Sequence, residues 1–358
     1  MVSPSVFSQR RRLALKLIAV DIAFSYSLLL CAFGVGVTGV TWLALNDSTI
    51  AQMPLGERTL SQVNVLFVNP SIGNDTTGNG SDRTPFQTIT QALQVATSNT
   101  VIMLAPGIYS TDTGEMFPLM LKSGVSLQGG GTYLSRSFGG QNVTIVGANQ
   151  AGLTGVTVTN SHPRGYGLWI ESSNPVITDN TFTGSTQDGV AVSGNGAPII
   201  SKNYFYRNGA NGITLSGNSQ AKIQENIFQE TGFGVNITQN AAPVVISNQI
   251  QNNRAGIIVQ GKARPIIRNN LIEGSKEDGL VAIAQAMPNL GTLTEAGGNE
   301  FRNNARHDIN ASAVKEAIAA AGNTLTNSRV VGKVDFNAQA ISVAETPQPT
   351  TISTTPAN

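Results

Sequence analysis

Ile199-Ile200-Ser201-Lys202-Asn203-Tyr204-Phe205 and, one period later, Lys222-Ile223-Gln224-Glu225-Asn226-Ile227-Phe228 decide the fold. The same frame returns as Asn180-Thr181-Phe182, Asn248-Gln249-Ile250, Asn270-Leu271-Ile272 and Asn299-Glu300-Phe301, with Asn spacings of 23, 23, 22, 22 and 29. Three residues before each Asn lies an aliphatic column: Ile177, Ile200, Ile223, Val245 and Ile267. A second column pairs glycine with an aliphatic residue at Gly189, Gly212, Gly234, Gly256 and Gly279. A third carries proline at Pro175, Pro198, Pro243, Pro265 and Pro288, with Lys222 replacing it in one coil.

A period near 22 residues fits three short strands and three turns per coil, so that each coil covers its neighbour's apolar face. The pattern lacks both the Leu-x-x-Leu-x-Leu frame of leucine-rich repeats and the 3.6-residue period of helical repeats. The chain therefore reads as all-β, a right-handed parallel β-helix. Asn and Gly are expected to supply left-handed backbone at the bends, and a buried Asn column can stack into an amide ladder. Val101–Leu104, Gly124–Leu127, Asn142–Val146, Gly155–Val158 and Gly167–Ile170 supply less regular coils upstream. Nine or ten coils at about 4.8 Å each predict a rod about 45 Å long.

Open coil ends need covers. Thr84-Pro85 predicts the start of an N-terminal capping helix, with Phe86, Ile89, Leu93 and Ala96 on one face. Ala313–Ala321, closed by Gly322, predicts a short helix at the other end. The organisation expected is a targeting segment at 1–51, a linker at 52–64, an N-terminal cap with first coils at 65–130, regular coils at 131–310, a C-terminal cap at 311–340 and a disordered Thr/Pro/Ser tail at 341–358.

Within residues 1–51, Arg10, Arg11, Arg12 and Lys16 precede an uncharged apolar run from Ile22 to Leu45. That run serves as a long signal peptide, cleaved after Ala51, or as a retained transmembrane anchor helix. Both place the body outside the cytoplasm, in the periplasm, at the cell surface or beyond. Setting residues 1–51 aside lowers the 22 basic and 21 acidic residues to 18 and 19. A nearly neutral body argues against nucleic acid as a partner. Cys31 is the sole cysteine and His162 and His307 the sole histidines, so no disulfide, Cys- or His-rich metal site or cofactor is expected.

Residues 67–130 resemble the N-terminal domain called DUF1565, common in exported cyanobacterial proteins. The resemblance rests on Phe67-Val68-Asn69-Pro70, Gly73-Asn74-Asp75, Pro85-Phe86-Gln87-Thr88-Ile89, Ala105-Pro106-Gly107-Ile108-Tyr109, Glu115-Met116-Phe117-Pro118-Leu119 and Gly124–Gly129. The coils at 174–301 are similar to carbohydrate-binding and copper-processing β-helix repeats grouped with the pectin lyases. The resemblance implies the pectin-lyase-like fold and no particular activity.

Sugar hydrolysis needs two carboxyl groups about 5–9.5 Å apart. Asp188 and Asp278 share a column but lie four coils apart, about 19 Å, and read as turn residues before glycine. Asp179, Lys202 and Glu225 read as a surface charge ladder, and Arg207 with Glu230 as a similar pair. Asp75 and Glu115 read as loop and hydrogen-bonding residues, with a calcium or sugar loop around Asp75 as the alternative. Arg254, Lys262, Arg264, Arg268 and Lys276 form a basic patch diluted by Glu273, Glu277 and Asp278. The polygalacturonase signatures Asn-Thr-Asp, Asp-Asp and Gly-His-Gly are absent.

The strongest exposed candidate is a carbohydrate-binding group of His162, Arg164, Tyr166 and Trp169. Aromatic faces and a guanidinium suit sugar rings and carboxylates, and Trp169, between Leu168 and Ile170, should face outward. Three functions follow: non-catalytic binding of cell-wall or extracellular polysaccharide or an envelope-structuring role, a polysaccharide lyase or hydrolase, or a purely structural adhesin-like rod.

Overall fold

The computed structural model describes residues 63–136, 142–325 and 329–339; the apolar N-terminal segment and the Thr/Pro/Ser tail lie outside them. The described chain is a right-handed parallel β-helix of about ten turns. One face starts at Asn64–Val68 and continues through strands such as Val176–Thr178, Ile199–Ser201 and Lys222–Gln224. A second stacks Thr181–Thr183, Tyr204–Tyr206 and Ile227–Gln229. The long strands Val125–Arg136 and Gly152–Asn160 run through both faces and join them into one 17-stranded sheet. The third face is a separate 10-stranded sheet that includes Tyr166–Glu171, Asn211–Leu215 and Ile309–Val314.

The periodic side chains fill the interior. Ile177, Ile200, Ile223, Val245 and Ile267 are fully buried. Phe182, Phe205 and Phe228 stack at centroid distances of 5.2 and 4.7 Å and interplanar angles near 10°. The expected asparagine ladder is present and longer than the repeat implies. The Asn203 N–H donates to Asn226 Oδ1 at 2.9 Å, and Asn226 Nδ2 donates to Asn248 Oδ1 at 3.0 Å and to the Ile200 carbonyl at 2.9 Å. The pattern runs from Asn180 through Asn270 and Asn299 to Asn323. Asn208, Asn253 and Asn304, in alternate coils, form a second buried column that accepts the backbone N–H of Ser185, Thr231 and Ser275.

The bends differ from expectation. Neither the ladder asparagines nor the repeating glycines take left-handed backbone. The residue just before each ladder Asn does so instead: Asp179, Lys202, Glu225, Ser247 and Asn269 all have φ near 55°. A non-glycine residue there costs about 1–2 kcal/mol, and the buried asparagine hydrogen bonds that follow offset it. The repeating glycines answer to space: a Cβ on Gly212 would sit 2.5 Å from Phe228 Cδ1 and 2.6 Å from the Gly234 carbonyl oxygen. The proline column also shifts by one position in one coil. Ala221, buried, takes the place expected of Lys222, because Lys222 pairs with Ile199.

Both covers depart from the sequence pattern. The capping helix spans Ile89–Val95 with Thr88, not Thr84, as its N-cap. Two carboxylates hold that start. Asp75 accepts from Gln87 N, Thr88 N and Thr88 Oγ1, and Glu115 accepts from Ile89 N, Thr90 N and Thr90 Oγ1, all within 3.0 Å. Burial raises the Glu115 carboxyl above its ordinary range, against the pull of these donors. At the other end the expected Ala313–Ala321 helix is replaced by the strands Ile309–Val314 and Ile318–Ala319. The exposed ladder of Leu280–Ala284 pairs Ile309 and Asn310, and this overrides the helix propensity of alanine.

Replacing Asn226 by Ala leaves the buried Asn203 N–H unpaired and removes the side-chain donor to the Ile200 carbonyl. At about 1–3 kcal/mol for an unpaired buried group, the loss should be about 2 kcal/mol, measured as a lowered urea midpoint. Asn226→Asp should be at least as damaging, because a carboxylate cannot donate.

Candidate functional site

Register on the 10-stranded sheet places Tyr166, Asp188, Asn211, Phe233, Ala255, Asp278 and His307 in one outward column. A parallel column holds Trp169, Ala191, Thr214, Asn236, Ile258, Val281 and Asn310. Strand pairing fixes these neighbours, so the seven coils span about 29 Å at about 4.8 Å per step.

At one end Tyr166 and Trp169 meet edge to face, with centroids 5.3 Å apart and planes at 86°. Both are half-buried, while Leu168 and Ile170 point into the core. Beside them Asp188 is 5% exposed and accepts from Asn211 Nδ2 at 2.8 Å. Desolvation raises the Asp188 carboxyl above its ordinary value, opposed by hydrogen bonds from Thr214 and Asn211. Burial and the Asp188 charge likewise raise the Tyr166 phenol. His162 and Arg164 lie on the loop before this strand. The loop is pinned: Asn160 Oδ1 accepts from His162 N, Thr186 Oγ1 accepts from Gly165 N and donates to the His162 carbonyl, and His162 Nδ1 accepts from Arg164 N. The structure thus brings Tyr166 and Trp169 together, whereas His162 and Arg164 engage their own loop.

At the other end Asp278 accepts from the His307 N–H at 3.0 Å, meets His307 Nδ1 at 2.7 Å and accepts from Asn310 Nδ2 at 3.1 Å. Neither acid has the left-handed backbone of a turn; each is held by side chains of the following coil. His307, Asn211, Thr214 and Asn310 carry no motif of their own. The repeat itself locates the first two: the 23-residue step from Asp188 reaches Asn211, and the 29-residue step from Asp278 reaches His307.

The other charged candidates divide into unpaired and paired groups. Among the described residues Asp179, Lys202 and Glu225, all exposed, form no ion pair. Arg207 does pair with Glu230, at 2.8 Å. The basic patch divides, since Arg254 pairs with Glu277 and stacks on Phe233, and Arg268 meets Asn289 and Glu295. Among the described residues no group of three or more His, Cys, Asp or Glu side chains is placed to hold a metal ion.

A family model described as "Protein of unknown function (DUF1565)" matches residues 71–134 and 127–330. The chain belongs to the DUF1565 family. No curated protein matches it. Among solved structures, this DUF1565 chain is similar to pectate lyase Pel9A at 16% identity, with a TM-score of 0.53 over 79% of this chain and 82% of that one. It is also similar to an alginate lyase from Paenibacillus sp. str. FPU-7, at 15% identity and a TM-score of 0.49 over 76% and 100% of the two chains. The Azotobacter vinelandii mannuronan C-5 epimerase AlgE4 A-module aligns at 14% identity and a TM-score of 0.41 over 71% and 93%. At such identities the likeness to Pel9A shows the pectin-lyase-like fold alone.

The raised Asp188 carboxyl has a thermodynamic consequence. Its folded-state value lies above its unfolded one, so the folded state holds more protons in the window between them, and stability falls as pH rises through that window. Glu115 acts in the same direction. Asp188→Asn should flatten the loss of urea stability from about pH 4 upward and leave the Glu115 part in place.

Proposed function

We propose that this protein is exported by its N-terminal apolar segment and binds an extended polysaccharide along the outer face of the 10-stranded sheet, parallel to the rod. The observation that carries this reading is the half-buried Tyr166–Trp169 pair standing over Asp188 and Asn211. An aromatic surface beside fixed polar groups suits a sugar ring, which offers an apolar C–H face and a hydroxyl rim. Phe233, under the Arg254 guanidinium at 5.1 Å, places a second aromatic surface three coils further along the column. The fold shared with a pectate lyase is compatible with a glycan partner. The near-neutral charge favours recognition by stacking and hydrogen bonds over the dense cationic surface that nucleic acid requires.

The full-length protein is titrated with polygalacturonate, alginate and xylan in affinity electrophoresis. At least one should be retained, and Trp169→Ala should weaken that retention by about tenfold or more, in keeping with about 1.4 kcal/mol or more for a lost aromatic contact, while the urea midpoint changes little. Absence of retention by every glycan would leave the rod a purely structural part of the envelope.

A further inference from the structure

Polysaccharide binding makes no use of His307, although the structure builds a site around it. Asp278 is 5% exposed and spends its carboxylate on His307 N, His307 Nδ1 and Asn310 Nδ2. This orients the imidazole. With the Nδ1 proton turned to the carboxylate, Nε2 is the basic nitrogen. Nε2 has no hydrogen-bond partner among the described residues, and the side chain is 37% exposed. A histidine that only closes the stack would bury its ring or use both nitrogens. Arg306, the residue before His307, meets Glu277 at 3.7 Å and is 62% exposed. The carboxylate satisfies only part of its five donors.

We infer that His307, positioned by Asp278, is a general base that hydrolyses a carboxylic ester carried by the polysaccharide in this groove; the inference rests on the groove reading above. Nε2 takes a proton from water as the water oxygen bonds to the acyl carbon. The tetrahedral oxyanion is stabilised by the exposed Arg306 guanidinium. The bond from the acyl carbon to the sugar oxygen breaks, the proton passes from Nε2 to that oxygen, and the products are a carboxylic acid and a free sugar hydroxyl. Taking a ring C–H proton would require much stronger anion stabilisation than a single guanidinium shared with Glu277 supplies.

The full-length protein is incubated near neutral pH with O-acetylated xylan and O-acetylated pectin, and acetate release, unsaturated chain ends and glycan retention are followed together. Acetate release without unsaturated ends is expected. His307→Gln should lower it by about a hundredfold or more with retention unchanged, and free imidazole should restore part of it in His307→Gly. Asp278→Asn should lower kcat at an unchanged KM. Retention without acetate release, release that survives His307→Gln, or His307-dependent unsaturated ends would overturn the inference and leave the groove reading standing. Loss of both retention and release would overturn the two together.

Discussion

The structure depends on how buried backbone polar groups are satisfied at the bend between the first two faces. A coil that turns sharply there leaves the N–H of the first residue past the bend outside the strand ladder, at a cost of about 1–3 kcal/mol for each such group left unpaired. The asparagine column meets this need in a single way. Each side-chain oxygen takes the N–H of the coil before, and each amide nitrogen gives to a carbonyl and to the next asparagine. The contact is repeated from Asn180 to Asn323, so it sets the coil period and keeps every strand in register. Outward columns of side chains are a consequence. A residue on one coil finds its partner one period later, about 4.8 Å along the rod.

The fold was legible because the repeat is strict where the interior is tight. The Asn column, the aliphatic column and the Phe205–Phe228 stack are each demanded by a buried neighbour. Left-handed positions were assigned one residue late, because a residue's φ leaves no mark on its identity when the site accepts Asp, Lys, Glu, Ser and Asn alike. The C-terminal alanines read as helix because propensity is local, whereas the open edge at Leu280–Ala284 is a long-range demand. Thr84-Pro85 misplaced the capping helix because its true start is held by Asp75 and Glu115, distant in sequence.

The outer face was legible only in part. Tyr166 and Trp169 stood out by residue type, and Trp169 by its place between two inward residues. In the sequence Asp188 and Asp278 read as turn residues, since an isolated Asp-Gly pair has that meaning more often than any other. Their partners come from the next coil and become visible only when the period is applied to the acids themselves. His162 and Arg164 are suited to a ligand by residue type, and they stand on a loop whose backbone and imidazole already make hydrogen bonds.

A groove over Tyr166 and Trp169 makes the environment of one indole the direct reporter of occupancy. Trp42 and Trp169 are the two tryptophans of the chain, and Trp42→Phe leaves Trp169 alone. Tryptophan fluorescence of this variant, followed while the retained polysaccharide is added, should shift saturably with the dissociation constant found by retention. Saturable retention with an unchanged Trp169 spectrum would place the glycan elsewhere and contradict the account.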